Sequence, residues 1–283
     1  MPARRVLPLR LLDALLYSSG WLAAAAAAQT AMALRLWPPA GAVGWHVVVL
    51  VFAATLLTYN LDAVLPFKYR QPAGTSGRKA WQQRHRRGLL GLAGGAALVG
   101  AYLLLTDGWT HFLPVLLPLA ALALGYSWPL LPWRGRWRAI REVPLLKVFL
   151  IAGVWTIVTV ALPALALRQP LASAVGLLGQ RFCLVTALAI VFDIRDVSRD
   201  QAVGLRTFPT VLGVGGAKAV SLAFLVVAVA LGLGRGVGLL AMLLPMGLVA
   251  AVVLLAREER GDYFFALVTD GMLLVTAAAG FIF

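Results

Sequence analysis

Acidic residues and cysteine are scarce in this chain of 283 residues. It contains 11 Asp and Glu against 25 Lys and Arg, and its single cysteine is Cys183. A lone cysteine cannot form an intramolecular disulfide, so a disulfide-stabilised scaffold is excluded. The three histidines have no metal-ligand spacing with one another or with the cysteine, which argues against a zinc site.

Apolar residues, in contrast, dominate the composition. The chain is 61% hydrophobic, and its mean hydropathy is +0.88. Its apolar runs reach about twenty residues and do not alternate with polar ones, which is typical of membrane-spanning helices and not of a barrel. The sequence therefore predicts an all-α, polytopic membrane bundle in one domain, residues 1–283. We predict nine spans, at about 11–34, 45–65, 88–106, 111–131, 145–165, 172–192, 213–233, 237–256 and 264–283.

The formal net charge of +14 is distributed unevenly between the two predicted membrane faces. With nine spans, only four of the 25 cations fall at the face opposite the N-terminus: Arg35, Arg168, Arg181 and Arg235. By the positive-inside rule, the N-terminus and the longer loops are predicted to be cytoplasmic and the C-terminus to lie on the opposite side. The basic surplus thus indicates topology and attraction to anionic lipid, and no nucleic-acid partner.

Three of the few acids lie together in the segment DIRDVSRD, which follows an apolar run. On a continuous helix, Asp193, Asp196 and Asp200 fall at i, i+3 and i+7 and share one face. Three carboxylates on one face repel each other unless a cation lies among them. Mg²⁺ takes a few carboxylates and completes its shell with water and phosphate oxygens, so we predict a magnesium site at the membrane boundary.

Arginines are interleaved with these acids. The forked donors of Arg195, Arg199 and Arg206 match the geometry of phosphate. An ordinary solvated loop, in which acids and arginines pair with each other, is the alternative. The concentration of three acids in a chain that has 11 favours a ligand site.

This segment resembles the second aspartate-rich motif of the UbiA superfamily of intramembrane prenyltransferases. In that motif an acidic helix end is followed by a glycine, a basic residue with a threonine, and a Leu-Gly pair. The same elements here are Asp196, Asp200, Gly204, Arg206 with Thr207, and Leu212 with Gly213. Further similarity lies in Tyr126 with Ser127 and in the segment REVPLLKVFLIAGVW, which begins the fifth predicted span.

The resemblance implies nine helices around a central cavity and the transfer of an isoprenoid chain from its diphosphate to an acceptor. It implies that Asp193, Asp196 and Asp200 are catalytic and hold Mg²⁺, and that Lys147 contacts the diphosphate. Mg²⁺ and cations neutralise the leaving group so that the allylic C–O bond ionises. The partners implied are an isoprenoid diphosphate, a lipophilic or aromatic acceptor, and membrane lipid.

The first aspartate motif of the family is degenerate in this chain. Asn60 is present, but Leu61, Val64 and Lys68 stand at three positions where the family has acids. Asp62 is the one nearby carboxylate, and it shares a site with Asn60 only if the helix unwinds before residue 66.

We therefore expect one Mg²⁺ at the second motif, with cations of the first motif facing the diphosphate. The predicted substrate-binding residues are Asn60, Asp62, Lys68, Arg70, Tyr126, Lys147, Arg195, Arg199 and Arg206.

Two further functions stay open beside the prenyltransferase. One is a non-catalytic protein that binds isoprenoid diphosphate, because the first motif lacks acids. The other is a terpene cyclase, because ionisation of the isoprenoid diphosphate needs the same residues whether the prenyl chain then reacts with an acceptor or with itself. A small-molecule transporter is disfavoured, since few ionisable residues lie deep in the predicted spans.

Overall fold

The chain folds into a bundle of helices, with one short hairpin between two of them. The structure, a computed structural model, describes residues 7–37, 41–65, 77–125, 129–133 and 136–282. The α-helices are α1 (Leu7–Tyr17), α2 (Gly20–Leu34), α3 (Gly41–Val64), α4 (Gly77–Arg84), α5 (Arg86–Thr106), α6 (Leu113–Gly125), α7 (Leu146–Thr156), α8 (Leu162–Ala166), α9 (Val175–Arg195), α10 (Val197–Ala202), α11 (Phe208–Gly234), α12 (Leu239–Leu255) and α13 (Asp270–Ile282).

Shorter helical segments extend several of these helices. Single turns of 3₁₀-helix form at Trp109–Phe112, Ile140–Glu142 and Leu171–Ala174. Two π-helical segments, Ile157–Ala161 and Phe264–Thr269, continue α7 into α8 and lead into α13. Such wider turns are uncommon and often mark functional positions in helices.

The long apolar helices confirm a multi-pass membrane protein, but they do not confirm nine spans. Within the described residues six helices are long and apolar enough to cross a membrane, and a seventh span arises if α1 and α2 are counted together. The two remaining predicted spans are apolar helices of fewer than 18 residues, at Leu113–Leu122 and Leu239–Leu255. The helices therefore occur where the spans were predicted, but their lengths do not establish how many of them cross the membrane.

The first predicted span is bent. The axes of α1 and α2 meet at 59°, and the backbone of Ser19 adopts a left-handed conformation, with φ 62°, between them. The break releases the carbonyl of Ser18, which accepts a hydrogen bond of 2.9 Å from the Asn60 side-chain amide. An exposed carbonyl is costly at membrane depth, so this bond stabilises the bend.

The fourth predicted span was wrong at its end. We expected helix to residue 131, but α6 ends at Gly125 and an antiparallel hairpin follows, with strands β1 (Pro129–Trp133) and β2 (Arg136–Ala139). Trp133 pairs with Arg136 beside the turn, and Pro129 pairs with Ala139 at the far end. Prolines at residues 129 and 132 disfavour continued helix, because each lacks an amide hydrogen.

Helix α9 lies at the centre of the bundle. It packs against α11 and α7, while α2 packs against α3 and α13. Of the span Leu171–Arg195, 67% is buried, against 22% for the span Arg86–Thr106. The apolar sequence of α9 is therefore enclosed by protein, whereas α5 turns much of its surface outward, as expected for a helix facing lipid.

Helix α11 begins with a strong cap and is then interrupted. Thr207 and Thr210 form a reciprocal capping box, in which the Thr207 backbone N–H donates to the Thr210 hydroxyl at 2.8 Å. Gly213, six residues later, has φ 71° and ψ 167°. That region of backbone conformation is available almost only to glycine.

We expect Gly213→Ala to destabilise the protein by about 1–3 kcal/mol, because alanine cannot adopt this backbone conformation without strain. Steric crowding makes no contribution, since a Cβ at residue 213 meets nothing within 4 Å. The measurement is the thermal unfolding midpoint of the purified protein in detergent. Gly215→Ala is the matched control, with equally open space and no positive φ, and should leave the midpoint unchanged or raise it. Equal losses in both variants would contradict the assignment of strain to Gly213.

Candidate active site

The candidate site lies where α9 ends, at the end of the bundle that we call the aspartate end. Helix α9 stops at Arg195, and Asp196 forms a turn in which its N–H donates to the Asp193 carbonyl at 3.2 Å. Helix α10 begins at once, and it carries Asp200. The prediction of one continuous helix with three carboxylates on one face was therefore wrong, because the turn at Asp196 separates the acids.

Asp193 forms an ion pair with a lysine from another span. The Lys147 ammonium, in the first turn of α7, donates a short hydrogen bond to Asp193 Oδ1. The Asp193 carboxylate is buried, at 1% exposure of the residue, whereas the Lys147 side chain is 20% exposed. The pair joins the beginning of α7 to the end of α9 and places the predicted diphosphate contact beside a predicted metal ligand.

Asp196 is held by two arginines. Arg195 reaches both of its carboxylate oxygens, at 3.3 and 3.2 Å, and Arg199 Nη2 lies 3.1 Å from Oδ2. Burial acts to raise the pKa of Asp196, but the two guanidinium charges outweigh it and hold the pKa below its ordinary value. The Arg195 guanidinium is itself positioned over the rings of Phe192 and Phe265, at 5.1 and 5.5 Å. Asp196 therefore has its negative charge already compensated.

Asp200 differs from the other two acids. It is 2% exposed, and among the described residues its Oδ2 atom has no hydrogen-bond partner. Burial raises the pKa of Asp200, and the charge of Lys147 partly opposes that effect. A buried carboxylate oxygen without a partner is costly, which points to a ligand at this position.

The backbone around Asp200 is fixed at both ends of α10. Glu258 accepts hydrogen bonds from the backbone N–H and the hydroxyl of Ser198, at 3.0 and 2.8 Å, and so stabilises the beginning of the helix. After the helix, the Leu205 N–H donates to the Asp200 carbonyl at 2.8 Å, and Gly204 has φ 69°. Sequence reasoning missed Glu258, since a side chain 58 residues beyond Asp200 gives no local signal.

The structure does not gather the three aspartates around one point. Over the residues that it describes, no three His, Cys, Asp or Glu side chains are grouped so that they could hold a metal ion. That all three hold one Mg²⁺ stays a prediction. Mg²⁺ commonly uses one or two protein carboxylates with phosphate and water. The unpartnered Oδ2 of Asp200 fits such a coordination. Asp193 is a further candidate, because the charge of Lys147 acts on both carboxylates.

Asn60 and Asp62 end the second predicted span, as expected, but they do not share a face. Helix α3 continues through Val64, so residues two apart point in different directions. Asn60 is 1% exposed, and its amide donates to the carbonyls of Ser18 and Leu56, at 2.9 and 2.8 Å. Its Oδ1 atom has no partner among the described residues. The helix ends before residue 66, but only after Val64, so Asn60 and Asp62 both stay helical and the unwinding that a joint site needs does not occur at these two residues.

The remaining predicted contacts divide into three groups. Arg199 lies at the aspartate end, in contact with Asp196. Arg206 has an exposed side chain, and its carbonyl accepts a hydrogen bond of 3.0 Å from the Leu145 N–H. Three predicted contacts lie outside the described residues: Lys68, Arg70 and Tyr126.

Helix α4 brings a further cation to this end of the bundle. Its Arg78 backbone N–H donates to Asp262 Oδ2 at 3.1 Å, and Gln82 donates to the Tyr17 carbonyl at 3.0 Å. Burial lowers the pKa of Arg78, and the charge of Asp270 partly opposes the shift. The contacts of α4 with Asp262 and Tyr17 join segments far apart in the chain, and no local pattern in the sequence predicts them.

Comparison with solved structures identifies the type of fold. An apo structure of a UbiA homolog from Aeropyrum pernix K1 is similar over 93% of this chain and 97% of that one, with a TM-score of 0.60 and 20% identity. A structure of digeranylgeranylglyceryl phosphate synthase is similar over 96% of this chain and 97% of that one, with a TM-score of 0.58 and 14% identity. No protein-family model and no curated protein sequence matches this chain.

These likenesses confirm a UbiA-type fold along nearly the whole chain. The expectation of an all-helical membrane bundle of that type is therefore correct. At such low identity the comparisons establish the fold and leave the chemistry to the residues of the site.

We expect Lys147→Met to lower stability by about 3–5 kcal/mol, because it leaves Asp193 as a buried charge without its partner. The measurement is the thermal unfolding midpoint in detergent. Arg206→Met is the control, since that side chain is exposed. Adding Asp193→Asn to Lys147→Met should recover part of the loss, because the orphaned charge is then removed. Additive losses in the double variant would show that the ion pair is not a unit.

Proposed function

We propose that this protein is a membrane-embedded prenyltransferase that ionises an isoprenoid diphosphate with Mg²⁺ and transfers the prenyl chain to an apolar or aromatic acceptor. The observation that carries the proposal is the unpartnered buried oxygen of Asp200, beside the Lys147–Asp193 pair at one end of a UbiA-type bundle. The resemblance of the second aspartate motif supports it. The similarity in fold to a synthase that forms digeranylgeranylglyceryl phosphate also agrees with it.

Asp200 is the residue best suited to hold the metal ion, with Asp193 as its partner. When bound, Mg²⁺ would supply positive charge to the diphosphate leaving group. Lys147 can turn from Asp193 to a phosphate oxygen, which frees the Asp193 carboxylate. The ammonium would thus neutralise the Asp193 carboxylate before the substrate binds and the diphosphate afterwards.

The reaction exchanges one bond of the prenyl carbon for another. The allylic C–O bond to diphosphate breaks and the electron pair leaves with the phosphate oxygen; a bond from the acceptor to the prenyl carbon forms, and the acceptor loses a proton. The apolar core around α7, α9 and α11 excludes water that would otherwise capture the cation. Arginines at the aspartate end, Arg195 and Arg199, add positive charge near the leaving group.

Asp200→Asn is expected to lower Mg²⁺-dependent diphosphate release by about 100-fold or more, because the amide removes an anionic ligand while keeping the shape of the side chain. The assay is pyrophosphate release from prenyl diphosphates of several lengths, with and without Mg²⁺. Glu259→Gln is the control, since Glu259 is an exposed acid outside the aspartate motif. Full activity of the Asp200→Asn variant would remove this carboxylate from the mechanism.

Mg²⁺ affinity is expected to fall as the pH falls through the raised pKa of Asp200, because the ligand must be deprotonated. The charge of Arg199 lowers the pKa of Asp200, against the larger effect of burial. Arg199→Gln removes that charge, so the loss of Mg²⁺ binding should move to higher pH. Arg206→Gln should leave it in place, and both are measured by Mg²⁺ titration of the purified protein at stepped pH. Movement toward lower pH in Arg199→Gln would contradict the assignment of Asp200 as a ligand.

A non-catalytic protein that binds isoprenoid diphosphate is the second candidate. It is favoured by the pairing of Asp193 and Asp196 with cations, and by the absence of acids at three positions of the first motif. Mass spectrometry of lipid products separates the functions. Prenylated acceptor indicates the transferase, a cyclised hydrocarbon without acceptor indicates a terpene cyclase, and binding of the diphosphate without turnover indicates the binding protein.

A further inference from the structure

A fully buried arginine lies far from the aspartate end. Arg181, in α9, is 1% exposed. Twelve residues of helix separate it from Asp193, which corresponds to about 18 Å. One phosphate group cannot contact both residues, so Arg181 belongs to a different part of the molecule from the candidate active site. Ionisable residues at membrane depth are costly and commonly mark a binding site or pathway.

The surroundings of Arg181 are polar but contain few acceptors. Its Nη1 atom donates to the Thr159 hydroxyl at 3.1 Å, and its Nη2 atom donates to the Gln29 carbonyl at 3.4 Å. The Gln29 amide is anchored in turn to the Leu273 carbonyl and the Thr276 hydroxyl, at 2.5 and 2.7 Å. A guanidinium has five N–H groups, so these two bonds leave donors for a further acceptor.

These residues lie at one depth in the bundle. Gln29 is five residues before the end of α2, Arg181 is six residues after the beginning of α9, and Thr159 is seven residues before the end of α8. At 1.5 Å per residue, all three lie about 8–11 Å below the end opposite the aspartate end. The π-helical segment Ile157–Ala161 contains Thr159 and presents its hydroxyl toward Arg181.

A second arginine folds toward the same place. Arg235 follows α11 at the opposite end, where an arginine would ordinarily extend outward to water or headgroups. Instead its chain crosses α9: its Cδ and Cγ atoms lie 2.7 and 2.8 Å from the position that a Cβ on Gly176 would take. Its Nη1 atom donates to the Gln180 side-chain oxygen at 2.7 Å. Gln180 directly precedes Arg181 in α9, so this bond brings the Arg235 guanidinium to the same turn of the helix as Arg181, where its charge acts on that of Arg181.

No Asp or Glu side chain in the described part of the chain compensates these charges. All 11 acidic residues of the chain fall within the described residues, and none of them forms an ion pair with Arg181 or Arg235. Two guanidinium groups that repel each other, one of them fully buried, are unfavourable without an anion. An anion bound from outside the chain would supply the missing negative charge.

We propose that Arg181 and Arg235 form an anion-binding site near the opposite end of the bundle, which takes a phosphate-type oxyanion. Forked guanidinium donors match the oxygens of phosphate better than they match a spherical halide. The phosphate is either free in solution or part of a lipid headgroup, because Arg235 lies at the end of a membrane helix. The site is independent of the proposed transferase activity.

Phosphate binding is tested by thermal unfolding of the full-length protein in detergent, titrated with inorganic phosphate at an ionic strength matched with chloride. We expect phosphate to raise the unfolding midpoint of the natural protein by several degrees, since a ligand that binds the folded state stabilises it. The shift should disappear in Arg181→Gln and Arg235→Gln. Arg168→Gln is the matched control, an exposed arginine at the same end, and should keep the full shift.

The lipid source is tested in parallel by native mass spectrometry of protein purified from vesicles of phosphatidylcholine with phosphatidylglycerol. A lipid headgroup is the ligand if the natural protein retains phosphatidylglycerol, Arg235→Gln loses it, and phosphate does not raise the unfolding midpoint. Gly176→Ala keeps both charges but displaces the Arg235 side chain. It should therefore weaken the binding of phosphate or of phosphatidylglycerol, whichever of the two the natural protein binds. The natural protein showing neither a phosphate shift nor lipid retention would overturn the proposal and leave Arg181 as a purely structural polar contact. A response equal in the natural protein, Arg235→Gln and Arg168→Gln would overturn it as well.

Discussion

The buried ion pair between Lys147 and Asp193 is the interaction on which the candidate site depends. It joins the first turn of α7 to the last turn of α9, which has the largest buried share of the six long apolar spans. Both groups lose water on folding, so each needs the other unless a different partner arrives. In the proposed function, a diphosphate and Mg²⁺ would offer that different partner to Lys147 and Asp193. The contact that stabilises the folded protein would then exchange its members when an anionic substrate binds.

Much of the fold could be predicted from apolar run lengths alone. Each predicted span corresponds to a helix, because no other structure satisfies the backbone of a continuously apolar segment in lipid. The exceptions are local. The bend at Ser19 and the turn at Asp196 depend on one or two backbone angles, and hydropathy over a window of twenty residues does not register them. The hairpin that replaces the end of the fourth predicted span has strands of five and four residues, too short to produce a periodic signal.

The site was predicted less completely than the fold. Asp193 and Asp200 could be proposed as candidates because acids are rare in this chain, and Lys147 because its segment resembles that of the family. The different environments of the three aspartates could not be predicted from the sequence. The ion pair of Asp193, the two arginines on Asp196 and the unpartnered oxygen of Asp200 all depend on how the helices end and pack. Asn60 shows the same limit: its amide bonds to the Ser18 carbonyl, 42 residues earlier, and sequence spacing gives no indication of that contact.

The hairpin between α6 and α7 also locates the surface of the bilayer. A pair of strands has two outer edges whose N–H and C=O groups lack partners, and hydrocarbon cannot solvate them. Strands β1 and β2 must consequently lie in the headgroup region or in water. Since α7 starts seven residues after β2, Lys147 is anchored close to that surface, within reach of a polar group whose attached chain remains dissolved in lipid.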